Sequence, residues 1–91
     1  MDKVPCPTTF ENAAKIAIEE DRPILLDYWR GSLDKTALIG VRENNEKMLV
    51  KSPEEYTSPI QKIYKVGDEY VISTENSLYI VSSTIPTKRI N

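Results

Sequence analysis

The chain has 91 residues, enough for one small domain with a single modest core. Hydrophobic residues make up 40% and charged residues 29%, a balance that excludes a disordered tail, and no apolar run approaches the ~20 residues of a membrane span. A net charge of −2 argues against a dedicated nucleic-acid binder, and one cysteine with no histidine excludes an intrachain disulfide, a Cys/His zinc site and any histidine-based triad.

The opening MDKVPCPTTF has no apolar stretch of the kind a signal peptide needs, so a cytoplasmic protein is expected. Residues 1–7 read as an N-terminal arm. Cys6, between Pro5 and Pro7, reads as an incidental reduced thiol. A helix is predicted over 8–21. Thr8 and Glu11 fit a capping box, and Phe10, Ala13, Ala14, Ala17 and Ile18 recur with helical spacing to form one apolar stripe. Three alanines make that stripe thin enough to lie close on a sheet. Glu19, Glu20 and Asp21 crowd the carboxyl end, where the helix dipole disfavours negative charge, and Pro23 prevents continuation.

The remainder, 23–90, reads as an antiparallel β meander. PILLDYW (23–29) is its first strand, followed by a turn at RGSLDK. TALIGVRE (36–43) and EKMLVK (46–51) form a hairpin across Asn44-Asn45, and SPEEYTS is a loop. PIQKIYKV (59–66), EYVIST (69–74) and SLYIVSS (77–83) follow, with two-residue turns at Gly67-Asp68 and Glu75-Asn76. TKRI (87–90) is a short edge strand. The whole, 1–91, is a single α+β domain: an N-terminal helix packed on a strongly curved antiparallel sheet or small β-barrel of five to six strands.

These turns fix a register. Ile63 faces Ile72, Ile72 faces Tyr79, and Tyr70 and Val81 share their side. On the opposite side Tyr64 faces Val71, and Val71 faces Ile80, with Leu78 and Val66 nearby. Both faces are therefore apolar, whereas a solvated face should be polar. The helix covers one. The other is a barrel interior, a partner's surface or a ligand pocket. A homo-oligomer that buries Tyr64, Val71, Leu78 and Ile80 is the expected assembly.

Three stretches supply candidate ligand-binding residues. Trp29 and Arg30, in DYWRGS, suit stacking on a base and contact with a phosphate. Tyr56, Thr57 and Ser58 sit in the loop, where the hydroxyls can bind a ligand or satisfy the loop's own backbone. Asn76 occupies a hairpin turn. The fourteen carboxylates look exposed and turn-associated, and the three glycines are too scattered for a phosphate loop, so no cofactor, metal or catalytic residue is expected. KIYK (62–65) interleaves lysines with apolar residues, a weak form of a strand-based nucleic-acid platform.

The phrases TSPI and TENSLYIV resemble segments of small uncharacterised phage and giant-virus proteins. FENAAKIAIEEDRPILLDYW is similar to the helix, strand and tryptophan that open phage anti-defence sponges for cyclic nucleotides, although the terminal Asp-Trp of that family is absent. The resemblance implies a viral accessory protein in the host cytoplasm. The expected function is that of a small non-enzymatic binding protein acting stoichiometrically through an oligomeric β-rich surface, with a protein partner. The alternatives are a protein that sequesters a small nucleotide and a nucleic-acid-binding barrel, the latter disfavoured by charge. No membrane role is expected.

Overall fold

The computed structural model describes residues 3–90; Met1 and Asp2, at the start of the expected arm, and Asn91 lie outside the described residues. The predicted helix forms as α1 (Pro7–Glu20), but its start differs. Cys6 is the capping residue, without a side-chain cap, and Thr8 lies inside the helix beside Pro7. The carboxylate of Glu69 replaces the expected capping box. It accepts from the Cys6 amide at 3.0 Å and from the Thr9 hydroxyl. An acid is favourable there, because the amino end of a helix carries partial positive charge. Asp21 closes the helix in the left-handed region at φ 54°, its amide donating to Ala17.

The buried side of α1 is rotated from the predicted stripe. Thr9 and Ala13 are buried and Ile16, Ala17 and Glu20 are half-buried, whereas Phe10, Ala14 and Ile18 face solvent. The two polar anchors decide this. Glu69 holds Thr9 at one end, and Ser73 holds Glu20 at the other.

The expected first strand is also cut short. β1 (Ile24–Leu25) is two residues long, and Trp29–Asp34 forms a second helix, α2. There follow β2 (Leu38–Val41), β3 (Lys47–Ser52), β4 (Glu55–Tyr56), β5 (Ile60–Val66), β6 (Glu69–Thr74), β7 (Leu78–Ser82) and β8 (Thr87–Arg89). β4 falls inside the stretch expected to be a loop. Among the described residues the eight strands make two four-stranded mixed sheets, ordered β1-β7-β6-β5 and β4-β3-β2-β8. This replaces the single curved antiparallel sheet or barrel of five to six strands. β1 joins β7 and β8 joins β2 in parallel, pairings that no local pattern announces. No described helix is long and apolar enough to cross a membrane.

The predicted register of the meander is the observed one. Ile63 pairs with Ile72, Tyr64 with Val71, Val71 with Ile80, and Ile72 with Tyr79. Gly67 has φ +59°, as the first position of its hairpin turn requires. The β2–β3 turn is longer than expected. Arg42 pairs with Glu46 across Glu43, Asn44 and Asn45, and Asn45 takes the positive φ of 66°.

Each face of the first sheet has its own cover. Val71, Leu78 and Ile80 pack with Ala13 and Trp29 beneath the helices. Ile72 and Val81 pack with Tyr28, Ala37, Ile39, Leu49 and Ile85, most of them supplied by the second sheet and its flanks. The molecule is thus three layers: helices, sheet, sheet. Of the four residues expected at an oligomer interface, Val71, Leu78 and Ile80 are wholly buried within one chain and have no exposed side-chain surface, while Tyr64 is half-buried with its hydroxyl donating to Glu20 at 3.0 Å.

Candidate functional site

The second sheet turns one face to the first sheet and the other outward. Ile39 and Leu49 point inward and join the core. Alternation then places Leu38, Gly40, Met48 and Val50 on the outer face, where Leu38 pairs with Val50, Gly40 with Met48, and Val50 with Tyr56. An open groove of about 590 Å³ lies there, lined by Leu38, Met48, Val50, Tyr56, Pro53 and Ile90, with Arg42, Lys51 and Ser52 as its polar members. Gly40 makes room for one wall. A β-carbon there would stand 2.6 Å from the end of the Ile90 side chain, which fills the space instead.

A bulge shapes the opposite edge. The β3–β4 pairing slips between Val50 and Ser52, leaving Lys51 as the extra residue. Such bulges re-aim a side chain. The Lys51 ammonium here lies 4.7 Å from the centre of the Tyr28 ring and 3.6 Å from the Glu55 carboxylate. Burial pushes the Tyr28 hydroxyl up to about 12, so the ring stays neutral beneath the lysine. Arg42 is exposed, and its guanidinium forms no ion pair with any described residue. Its lining is apolar with two cations and no carboxylate.

The sequence-predicted ligand residues are distributed differently. Tyr56 is half-exposed and lines the groove. Thr57 serves its own backbone: its hydroxyl accepts the Leu49 amide at 3.1 Å and donates to the Ser58 carbonyl at 2.8 Å, in effect extending the β4 edge by one rung. Ser58 and Asn76 do come together, at 3.3 Å, but away from the groove lining. Trp29 opens α2 rather than ending a strand. Its ring is buried against Ala13 and Val71, and its indole N–H donates to the Lys3 carbonyl at 3.1 Å. Packing accounts for this ring, and it offers no face for stacking. Arg30 is exposed on the same helix. No three metal-ligating side chains come together among the described residues.

The groove residues Leu38, Met48, Val50 and Ile90 were not among those predicted. Their trace in the sequence is the unbroken run Met48-Leu49-Val50, which gives β3 two apolar faces just as β6 and β7 have.

The fold and groove define a small three-layer domain with a shallow, mainly apolar groove on its outermost sheet. No family model, curated protein or solved structure matches the chain.

Proposed function

We propose that this is a small non-enzymatic binding protein whose working surface is the outer face of the second sheet, and that it takes up an acidic amphipathic segment of a protein partner. One observation carries this reading: the groove has a mainly apolar lining, half-buried at Leu38, Val50 and Ile90 and exposed at Tyr56, with two cations beside it, of which Lys51 is paired with Glu55 and Arg42 forms no ion pair with any described residue. Apolar surface left open on a small domain marks an interaction site more often than a packing defect. The burial of partner side chains supplies affinity, and the cations supply orientation and encounter rate. A groove of about 590 Å³ also has the size of a small-ligand pocket.

A photo-crosslinking residue at Tyr56 tests the proposal. The captured protein is identified, produced separately and titrated against wild type and Val50→Asp. Val50→Asp should bind at least tenfold more weakly while its circular dichroism is unchanged. Equal binding by the two proteins overturns the proposal, and so does native mass spectrometry showing a small molecule held in the groove.

A further inference from the structure

The three-layer arrangement leaves a second apolar strip exposed on the other side of the molecule. Phe10, Ala14 and Ile18 follow one another at intervals of four along α1, and Ile18 is 82% exposed. At 3.6 residues per turn this strip lies about 120° round the helix from its buried side. A core-facing helix normally leaves charged and polar groups there. Glu11, Lys15 and Glu19 run along one flank of the strip and Asp21 lies just beyond its carboxyl end, all exposed, so its border is acidic on balance despite the one lysine. The chain therefore carries an acidic amphipathic helix on its first layer and a cation-bearing apolar groove on its third.

We propose that the occupant of the groove is a second copy of this chain, with the Phe10–Ile18 strip of one protomer seated on the Leu38–Val50 face of the next. This rests on the groove being the working surface and names its partner. The complementarity is of both kinds: apolar strip against apolar lining, and carboxylates against Arg42. The two surfaces are different patches of one molecule, so the contact is head-to-tail and each protomer added leaves a fresh groove and a fresh strip. Such contacts build rings or open filaments rather than a closed dimer. The strip is about 12 Å long, shorter than an interface of ordinary size needs, so association is expected at roughly tens to hundreds of micromolar.

The test is complementation in sedimentation velocity. Wild type should gain mass with concentration across that range. Ile18→Glu, on the exposed helix side, and Tyr56→Glu, at the groove edge, should each remain monomeric and folded. Mixed, they retain one intact strip and one intact groove, and should form a one-to-one dimer that grows no further. Val50→Asp in place of Tyr56→Glu should behave alike. A wild type that stays monomeric, or a mixture that yields only monomers, overturns self-occupancy. If in that case Val50→Asp still loses the crosslinked partner and Ile18→Glu keeps it, the groove stands with a different occupant. If neither variant affects the partner, the groove itself is refuted.

Discussion

Ser73, wholly buried near the carboxyl end of β6, donates its hydroxyl to the carboxylate of Glu20 at 2.7 Å. Glu20 also accepts from the Tyr64 hydroxyl at 3.0 Å and from Arg22 at 3.1 Å, and Arg22 donates to Ser73 at 2.6 Å. The acid at the wrong end of the α1 dipole is thus the rivet between helix and sheet. Three partners, from β5, β6 and the turn after α1, outweigh a dipole penalty of about 0.3–1 kcal/mol.

The first prediction follows from that rivet. Hydrogen bonding from Ser73, and then from Tyr64, with the Arg22 charge, holds the Glu20 carboxyl below its ordinary 4.5 against the opposing effect of burial. A depressed carboxyl stabilises the fold above its unfolded value, and that contribution is lost as pH falls from about 4.5 through the lower folded value. Glu20→Gln should cost about 1–3 kcal/mol at neutral pH and flatten the acid limb of the stability curve, read by urea titration at pH 3 to 7 (roughly the carboxylate range). An acid limb of unchanged slope would refute this.

Tyr28 gives the opposite sign at the opposite limit. Its hydroxyl is raised from 10.0 to about 12, chiefly by burial, with Tyr79 5.4 Å away edge-to-face. A raised phenol stabilises below the unfolded value and loses that contribution as pH rises from 10.0 through about 12. Tyr28→Phe should therefore lose less stability than wild type over that alkaline window, by on the order of 2 kcal/mol at most. Parallel alkaline transitions in the two proteins would contradict it.

Gly31 sits within α2, and glycine to alanine in a helix interior ordinarily gains about 1 kcal/mol. Here a β-carbon would lie 2.8 Å from that of Ala37, which the backbone fixes. Relieving the clash requires a backbone shift, at about 1–3 kcal/mol. Gly31→Ala should lower the melting temperature despite the better propensity; a rise would show that α2 yields freely.

Ile80 and Ile18 form a control pair. Ile80 is fully buried under the helices, so Ile80→Ala should cost about 2–5 kcal/mol in denaturant titration. Ile18→Ala should stay within about 0.5 kcal/mol, as exposed positions do. Similar losses at both sites would mean that α1 is seated differently.

The β5–β6–β7 meander was legible because its turns are local. Gly67-Asp68 and Glu75-Asn76 fix strand pairing over a few residues, and the facing pairs from Lys62 onward follow from them; a shift between Ile60 and Lys62 moves only the start of β5 out of that register. The three-layer arrangement was not, because its decisive pairings join Ile24 to Leu78 and Ile39 to Thr87. DYWRGS read as a strand end because a six-residue helix containing a glycine is too short to show a periodicity. The rotation of α1 depended on Glu69, which sequence places only in a strand, and the groove depended on which strands share a face.

Those two parallel pairings also set an order of events during folding. Each closes a sheet between segments roughly 50 residues apart, whereas hairpin formation within the meander is a microsecond event. The meander can nucleate early, and the parallel seams at β1 and β8 lock last. Truncating Val71 should therefore slow refolding, whereas substitutions in β8 should leave that rate alone and hasten unfolding. Until β8 docks, the edge of β2 offers unpaired backbone beside an apolar face, so crowded refolding competes with strand pairing between chains.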